Sequence, residues 1–315
     1  GGIDMNNKIT LYFALFLLLF SFGAKDALSF GRQLYGVDVS EYPTIKAHII
    51  GNNRNGGELD LTPNNFDVTE NGMSRTETIT LDRSKKPDTP SVSVLFILDL
   101  SISLAEDNKL ELMKAGVKAF ADSLKWKPGT KVGIINYVNQ TQANGFHTNP
   151  QAIKDIVDGF QLRQGPTNHK AAIIGPNINS IEYMKQNTVT DQPRHVIFVT
   201  DGPEDNPILE LEEARDFGNR WEEANTFFHS IILEKKAFLI ELMSQECGGK
   251  HFDQVPLNED AVVSQFQYFA GYFQDLEYTQ LVWEAPYGCD EASRERTVGI
   301  AWWNKDRSDT MKTFD

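Results

Sequence analysis

Four strand-length segments, at 92–98, 131–138, 195–200 and 226–233, are predominantly apolar, the first of them nearly continuously so. A strand with one wet face alternates. A strand reads as a continuous run when helices cover both faces of a parallel sheet. After the first run Leu110, Met113, Val117, Phe120 and Leu124 recur at helical spacing and form one apolar stripe. Further helical stretches near 208–223, 236–246 and 258–273 follow the later runs. The alternation spans residues 91–274 and predicts an α/β domain with a doubly wound, mostly parallel sheet.

The flanks read differently. Residues 33–83 look like short strands broken by turn residues. In this stretch 42–50 partly alternates, 52–57 is a loop, and 66–81 resembles a hairpin turning at Asn71-Gly72. This is a β-rich half-sandwich, joined to the α/β domain by a polar, proline-bearing linker at 84–90. The tail, 277–315, holds strand-like segments at 278–284 and 296–303. Two strands do not fold alone. They either complete the N-terminal sandwich, which the pattern favours, or begin a further domain.

Residues 1–4 precede the expected initiator Met5 and are read as a remnant in front of it. Residues 5–27 combine Lys8, an apolar run at 9–22, and the small residues Gly23 and Ala24, the pattern of a secretory signal peptide. The run is shorter than the roughly 20 residues that span a membrane. The expectation is a secreted, periplasmic or cell-surface protein, with an uncleaved anchor as the alternative. In such a compartment Cys247 and Cys289 are able to pair. Two free thiols, one buried near Gly248-Gly249, are the plainer reading. The formal net charge of −14 and pI near 4.9 exclude a protein built to hold nucleic acid, which needs clustered Lys and Arg.

In a doubly wound sheet the loops after the strands converge on one edge, where ligands bind. The run at 92–98 leads into Asp99, Ser101 and Ser103 on alternate positions, and the run at 195–200 into Asp201-Gly202. Between them lies the tight loop Gly165-Pro166-Thr167-Asn168. These loops offer two carboxylates and three hydroxyls. Hard oxygens with few formal charges suit Mg²⁺ or Mn²⁺, whereas calcium sites recruit more carboxylates. Alone, the Asp-x-Ser-x-Ser string also reads as a helix cap.

Taken together, Asp99-x-Ser101-x-Ser103, Gly165-x-Thr167 and Thr200-Asp201-Gly202 resemble the metal-ion-dependent adhesion site of a von Willebrand factor type A domain. The resemblance covers roughly 91–274 and implies a Rossmann-like fold. It also implies that Asp99, Ser101, Ser103, Thr167 and Asp201 hold the cation, leaving one position for a carboxylate of a protein partner. Two departures stand out. The third segment reads GPTN where the family usually has GGTN, and Gly175-Pro176 should kink the helix after Thr167 or delay its start. The flanks bear a looser likeness to bacterial secreted proteins that carry this domain.

The resulting expectation is an exported, metal-dependent protein-binding or adhesion module, not an enzyme. Asn168, His169, Glu204 and Asp205 are candidates for the partner-binding rim. The acids after Asp201, including Glu210, Glu212 and Glu213, read as a helix start favoured by the helix dipole. The alternative function is a structural or assembly module of a cell-surface complex, with a purely stabilising metal. Furthest from the residues is a Mg²⁺-dependent phosphohydrolase, which would need a second acid where Ser101 stands.

Overall fold

A computed structural model describes residues 31–38, 41, 43–52, 61–70, 73–75, 78–82, 91–189, 192–204, 209–275, 279–284, 298–302 and 312–314. The expected signal peptide, the linker at 84–90, Asp205 and Cys289 lie outside the described residues. The N-terminal strands are β1 (Gly31–Asp38), β2 (Thr44–Asn52), β3 (Phe66–Glu70), β4 (Met73–Ser74) and β5 (Thr80–Asp82). The α/β domain follows as β6 (Ser93–Asp99), α1 (Lys109–Ser123), β7 (Lys131–Tyr137), β8 (Thr141–His147), α2 (Pro150–Asp158), α3 (His169–Ile174) and α4 (Ser180–Asn187). It continues as β9 (Arg194–Thr200), α5 (Leu211–Glu223), β10 (Thr226–Ile232), α6 (Phe238–Glu246), β11 (His251–Phe252) and α7 (Glu259–Asp275). The tail adds β12 (Thr279–Glu284), β13 (Val298–Trp302) and β14 (Lys312–Phe314). Among the described residues no helix is long and apolar enough to cross a membrane.

The central sheet has the order β11-β10-β9-β6-β7-β8, with every pair parallel except β7 and β8. The chain works outward from β6 through β7 to β8, then returns to β9 on the other flank of β6. Loops leaving β6 and β9 therefore diverge and open a crevice at their C-terminal ends. The continuous apolar pattern has its physical cause in two cores. Val94, Phe96 and Leu98 pack on one face with Val117, Phe120, Phe266 and Phe269, while Leu95 and Ile97 pack on the other with Ile181, Phe217 and Ile240. Gly116 permits the close approach of α1 and α7, because a Cβ there would stand 2.3 Å from the Phe266 ring.

Two smaller antiparallel sheets combine strands from both ends of the chain. β12 lies between β2 and β5, and β13 lies between β14 and β3. Ile45, Ala47, Ile49, Leu281 and Trp283 from the first sheet share one core with Phe66 and Val68 from the second. The hairpin expected over 66–81 divides. Met73–Ser74 pairs with β3, whereas Thr80–Asp82 crosses to β12 in the other sheet. Asn225, left-handed at φ 54°, joins this unit to the α/β domain: its side chain accepts from Leu34 N (2.9 Å) and donates to Leu34 O (2.6 Å).

Candidate metal centre

The apolar run of β6 ends on Asp99, which is fully buried. Asp99 Oδ1 accepts from the backbone N–H of Ser101 at 2.8 Å, so the chain turns immediately after the strand. Asp99 Oδ2 accepts from Thr200 Oγ1 at 3.0 Å, tying the end of β6 to the end of β9. Ser101 Oγ lies 2.8 Å from Ser103 Oγ, and Ser103 Oγ donates to Asp201 Oδ1 at 3.1 Å. Four of the five expected ligands thus form one connected oxygen cluster at the β6/β9 crevice.

The fifth, Thr167, is buried on a loop drawn to the same edge. Asn168 N donates to Val138 O beyond the end of β7 (2.9 Å), and Gly165 takes φ 134°, a conformation that favours glycine. Asn168 Oδ1 caps α3 by accepting from Ala171 N at 2.8 Å. The expected effect of Pro176 needs correcting. α3 starts without delay at His169 and stops at Ile174, and Gly175 before the proline takes an extended-type ψ of 156°. The proline ends the helix and leaves the Thr167 loop intact. Nor does the Asp-x-Ser-x-Ser string cap an α-helix directly. Residues Ile102–Asn108 form 3-10 turns broken at Asp107 (φ 51°) and Asn108 (φ 59°), and α1 begins at Lys109.

These residues fit a small divalent cation. Octahedral ligands about 2.1 Å from an ion stand about 3 Å from each other, and the Ser101–Ser103 and Ser103–Asp201 spacings are 2.8 and 3.1 Å. Burial pushes the Asp99 carboxyl up to about 7, against the opposing hydrogen bonds from Ser101 and Thr200 and with the help of the Asp201 charge. A dication would relieve that cost. Among the described residues no three His, Cys, Asp or Glu side chains gather into a metal cluster. The candidate centre is made of two carboxylates and hydroxyls instead.

Lys109 is the buried charge beside this oxygen cluster that the sequence did not reveal. It reads as an ordinary first-turn lysine, yet its side chain is 1% exposed. Its ammonium donates to Asp201 Oδ2 (3.1 Å), to Glu234 Oε2 and to Ser103 O (3.5 Å). Burial opposes its charge, but the bonds to Glu234 and Asp201 prevail and its pKa is raised. Glu234 is brought alongside by Leu233 N and Lys235 N, which donate to Thr200 O and Asp201 O at 2.9 Å.

Of the residues expected at the rim, His169 is turned inward. His169 is 2% exposed, with its ring edge-on to Tyr137 and Phe198, because α3 starts so early that its first side chain falls inward. Glu204 turns its carboxylate to the backbone, accepting from His169 N, Lys170 N (3.3 Å) and Leu209 N (3.0 Å). Asn168 is engaged as the cap of α3. Glu210 and Glu213 form a capping box at the start of α5, in keeping with a helix start. Ile102, between Ser101 and Ser103 in the sequence, is 46% exposed. Cys247 is buried, takes the Phe228 N–H on its sulfur at 3.1 Å, and has its thiol pushed up to about 12 by burial.

Residues 94–204 match the family model of the von Willebrand factor type A domain. No curated protein sequence matches the chain. Among solved structures it is similar to an aerotolerance-related membrane protein from Bacteroides fragilis, at 14% identity and TM-score 0.44 over 58% of this chain and 98% of that one. It is also similar to a von Willebrand factor type A protein from Catenulispora acidiphila, at 10% identity and TM-score 0.47 over 88% and 70% of the two chains. A third is proximal thread matrix protein 1 from the mussel byssus, with a zinc-occupied MIDAS motif, at 15% identity and TM-score 0.47 over 65% and 50%.

Proposed function

We propose that the von Willebrand factor type A domain of this chain is a cation-dependent adhesion module. Asp99, Ser101, Ser103, Thr167 and Asp201 hold Mg²⁺ or Mn²⁺, and a protein partner binds through an Asp or Glu carboxylate. The observation that carries this reading is the buried Asp99 carboxylate, joined to the connected Ser101, Ser103 and Asp201 oxygens at the sheet's switch point. Bound there, the cation supplies a Lewis-acidic position for a carboxylate oxygen. Hydroxyl-rich ligation supports that role, since neutral donors leave positive charge on the ion.

Binding is favoured over catalysis by the state of Asp99. A nucleophilic aspartate needs an exposed oxygen facing its substrate, and here the Asp99 side chain is fully buried at the end of β6. Export is part of the proposal and rests on the signal-like pattern at 5–27. Thermal melting of wild type and Asp99→Ala with Mg²⁺ or with EDTA, in the presence and absence of a Glu-bearing peptide, tests the reading. Mg²⁺ should raise the wild-type midpoint, the peptide should raise it further, and the variant should respond to neither. Equal responses from both proteins would refute the site. A Mg²⁺ response that ignores the peptide would instead identify a stabilising ion in an assembly module.

A further inference from the structure

We infer that Lys109 is a built-in counter-cation of the centre, weakening its hold on the metal while strengthening the loaded centre's hold on a carboxylate. The inference rests on the cation-binding reading above and concerns how that centre is tuned. Lys109 is the first residue of α1, and the left-handed pair Asp107-Asn108 delays the helix so that this side chain enters the crevice. Its ammonium has three hydrogens and three acceptors: Asp201 Oδ2, Glu234 Oε2 and Ser103 O. Two of these belong to residues of the oxygen cluster. Asp201 is therefore shared, with Oδ1 toward Ser103 and Oδ2 toward the lysine.

The consequences have opposite signs. A fixed positive charge beside a metal ligand repels an incoming dication, and it also takes up part of the Asp201 charge that would otherwise hold that dication. The same charge leaves the loaded centre one unit more positive, which favours an anionic oxygen from a partner. Glu234, less enclosed at 32% exposure, partly offsets the lysine and so shifts both steps the other way. A lysine with a purely architectural role makes a different prediction: its loss would loosen the centre and weaken the metal along with everything else.

Lys109 is thus a positioning and tuning residue. The test is Mn²⁺ titration of the full chain followed by electron paramagnetic resonance, with acetate binding to the Mn²⁺-loaded protein read by water-proton relaxation. Lys109→Met should bind Mn²⁺ about tenfold or more tightly and acetate more weakly. Without metal it should melt lower than wild type, and it should gain more from Mn²⁺. Glu234→Gln should bind Mn²⁺ more weakly and acetate more tightly. A folded Lys109→Met with unchanged or weaker Mn²⁺ affinity overturns the inference. Should that variant not fold, Glu234→Gln decides: unchanged or tighter Mn²⁺ binding overturns it. Wild type that binds no Mn²⁺ overturns the cation-binding reading itself, so the two failures are distinct.

Discussion

Asp99 shows how one side chain couples pH, metal and stability. Its folded pKa of about 7 stands above the ordinary value of 3.8, so the metal-free folded chain holds an extra proton between those values. Its contribution to stability is complete below pH 4 and is lost as pH rises through about 7. About three units correspond to a loss on the order of 4 kcal/mol. In EDTA, Asp99→Asn should therefore gain on wild type as pH is raised from 5 to 8, and saturating Mg²⁺ should reverse the order. Chemical denaturation across pH measures the difference, and a flat difference would disprove the account. His195 and His229 act on the acid side. Burial lowers both, His195 to about 3, and their rings lie in contact beneath Phe273. Unfolded histidines take protons below about pH 6.5 and these do not, so their contribution falls as pH drops through that value. His195→Phe should flatten the loss between pH 6.5 and 4 in the same denaturation series, and an unchanged slope would rule the pair out as its source.

At the scale of elements, the centre depends on short segments whose caps come from outside them. α3 is six residues long, and its first N–H groups are satisfied by Asn168 Oδ1 and by the Glu204 carboxylate arriving from beyond β9. Asn168→Ala should cost about 1 kcal/mol. Glu204→Ala, which leaves several N–H groups without their acceptor, should cost about 1–3 kcal/mol. Both should weaken Mn²⁺ binding several-fold by releasing the Thr167 loop. Thermal unfolding and Mn²⁺ titration check this together, and lost stability with full Mn²⁺ affinity would mean that the loop is held by other contacts. The same elements show what the sequence makes legible. Strands β6, β7, β9 and β10 are readable because burial on both faces keeps most of their positions apolar, with Ser93, Asn136, His195, His229 and Ser230 among the buried exceptions, and the acids at the ends of β6 and β9 follow from them. β8 is not readable, since Thr141–His147 has no alternation and carries a bulge around Asn144 and left-handed Gly145. Glu204 and Lys109 look like solvent-facing charges in one dimension. Only the return of β9 and β10 beside β6 gives them buried partners.

At the scale of the molecule, the β core meets an α/β domain that has a core on each face of its sheet. The strands before β6 and after α7 interleave, with Trp283 opposite Ile45 and Leu281 opposite Ala47. Pattern alone leaves that pairing open, because each strand is short and the partners are separated by the whole α/β domain. Once the α/β domain forms, it carries the ends of β2 and β12 together, which lowers the loop-closure cost of the sheet they build. Among the described residues, the Asn225–Leu34 hydrogen bonds and the packing of Ile50 on Phe227 and Tyr272 contribute to the joint between the β unit and the α/β domain. Trp283 lies in the β core, away from that joint and from the metal centre. Trp283→Ala should remove about 3–5 kcal/mol from the β unit. Because Trp283 packs in a core distinct from those of the α/β domain, hydrogen exchange should accelerate at Ala47, Ile49 and Val68 while Leu95, Ile97 and Val196 keep their protection. Mn²⁺ affinity should stay at the wild-type value. A parallel fall in Mn²⁺ affinity and in the protection of β6 would show that the sandwich supports the metal-binding fold directly, and would replace two joined units with one cooperative body.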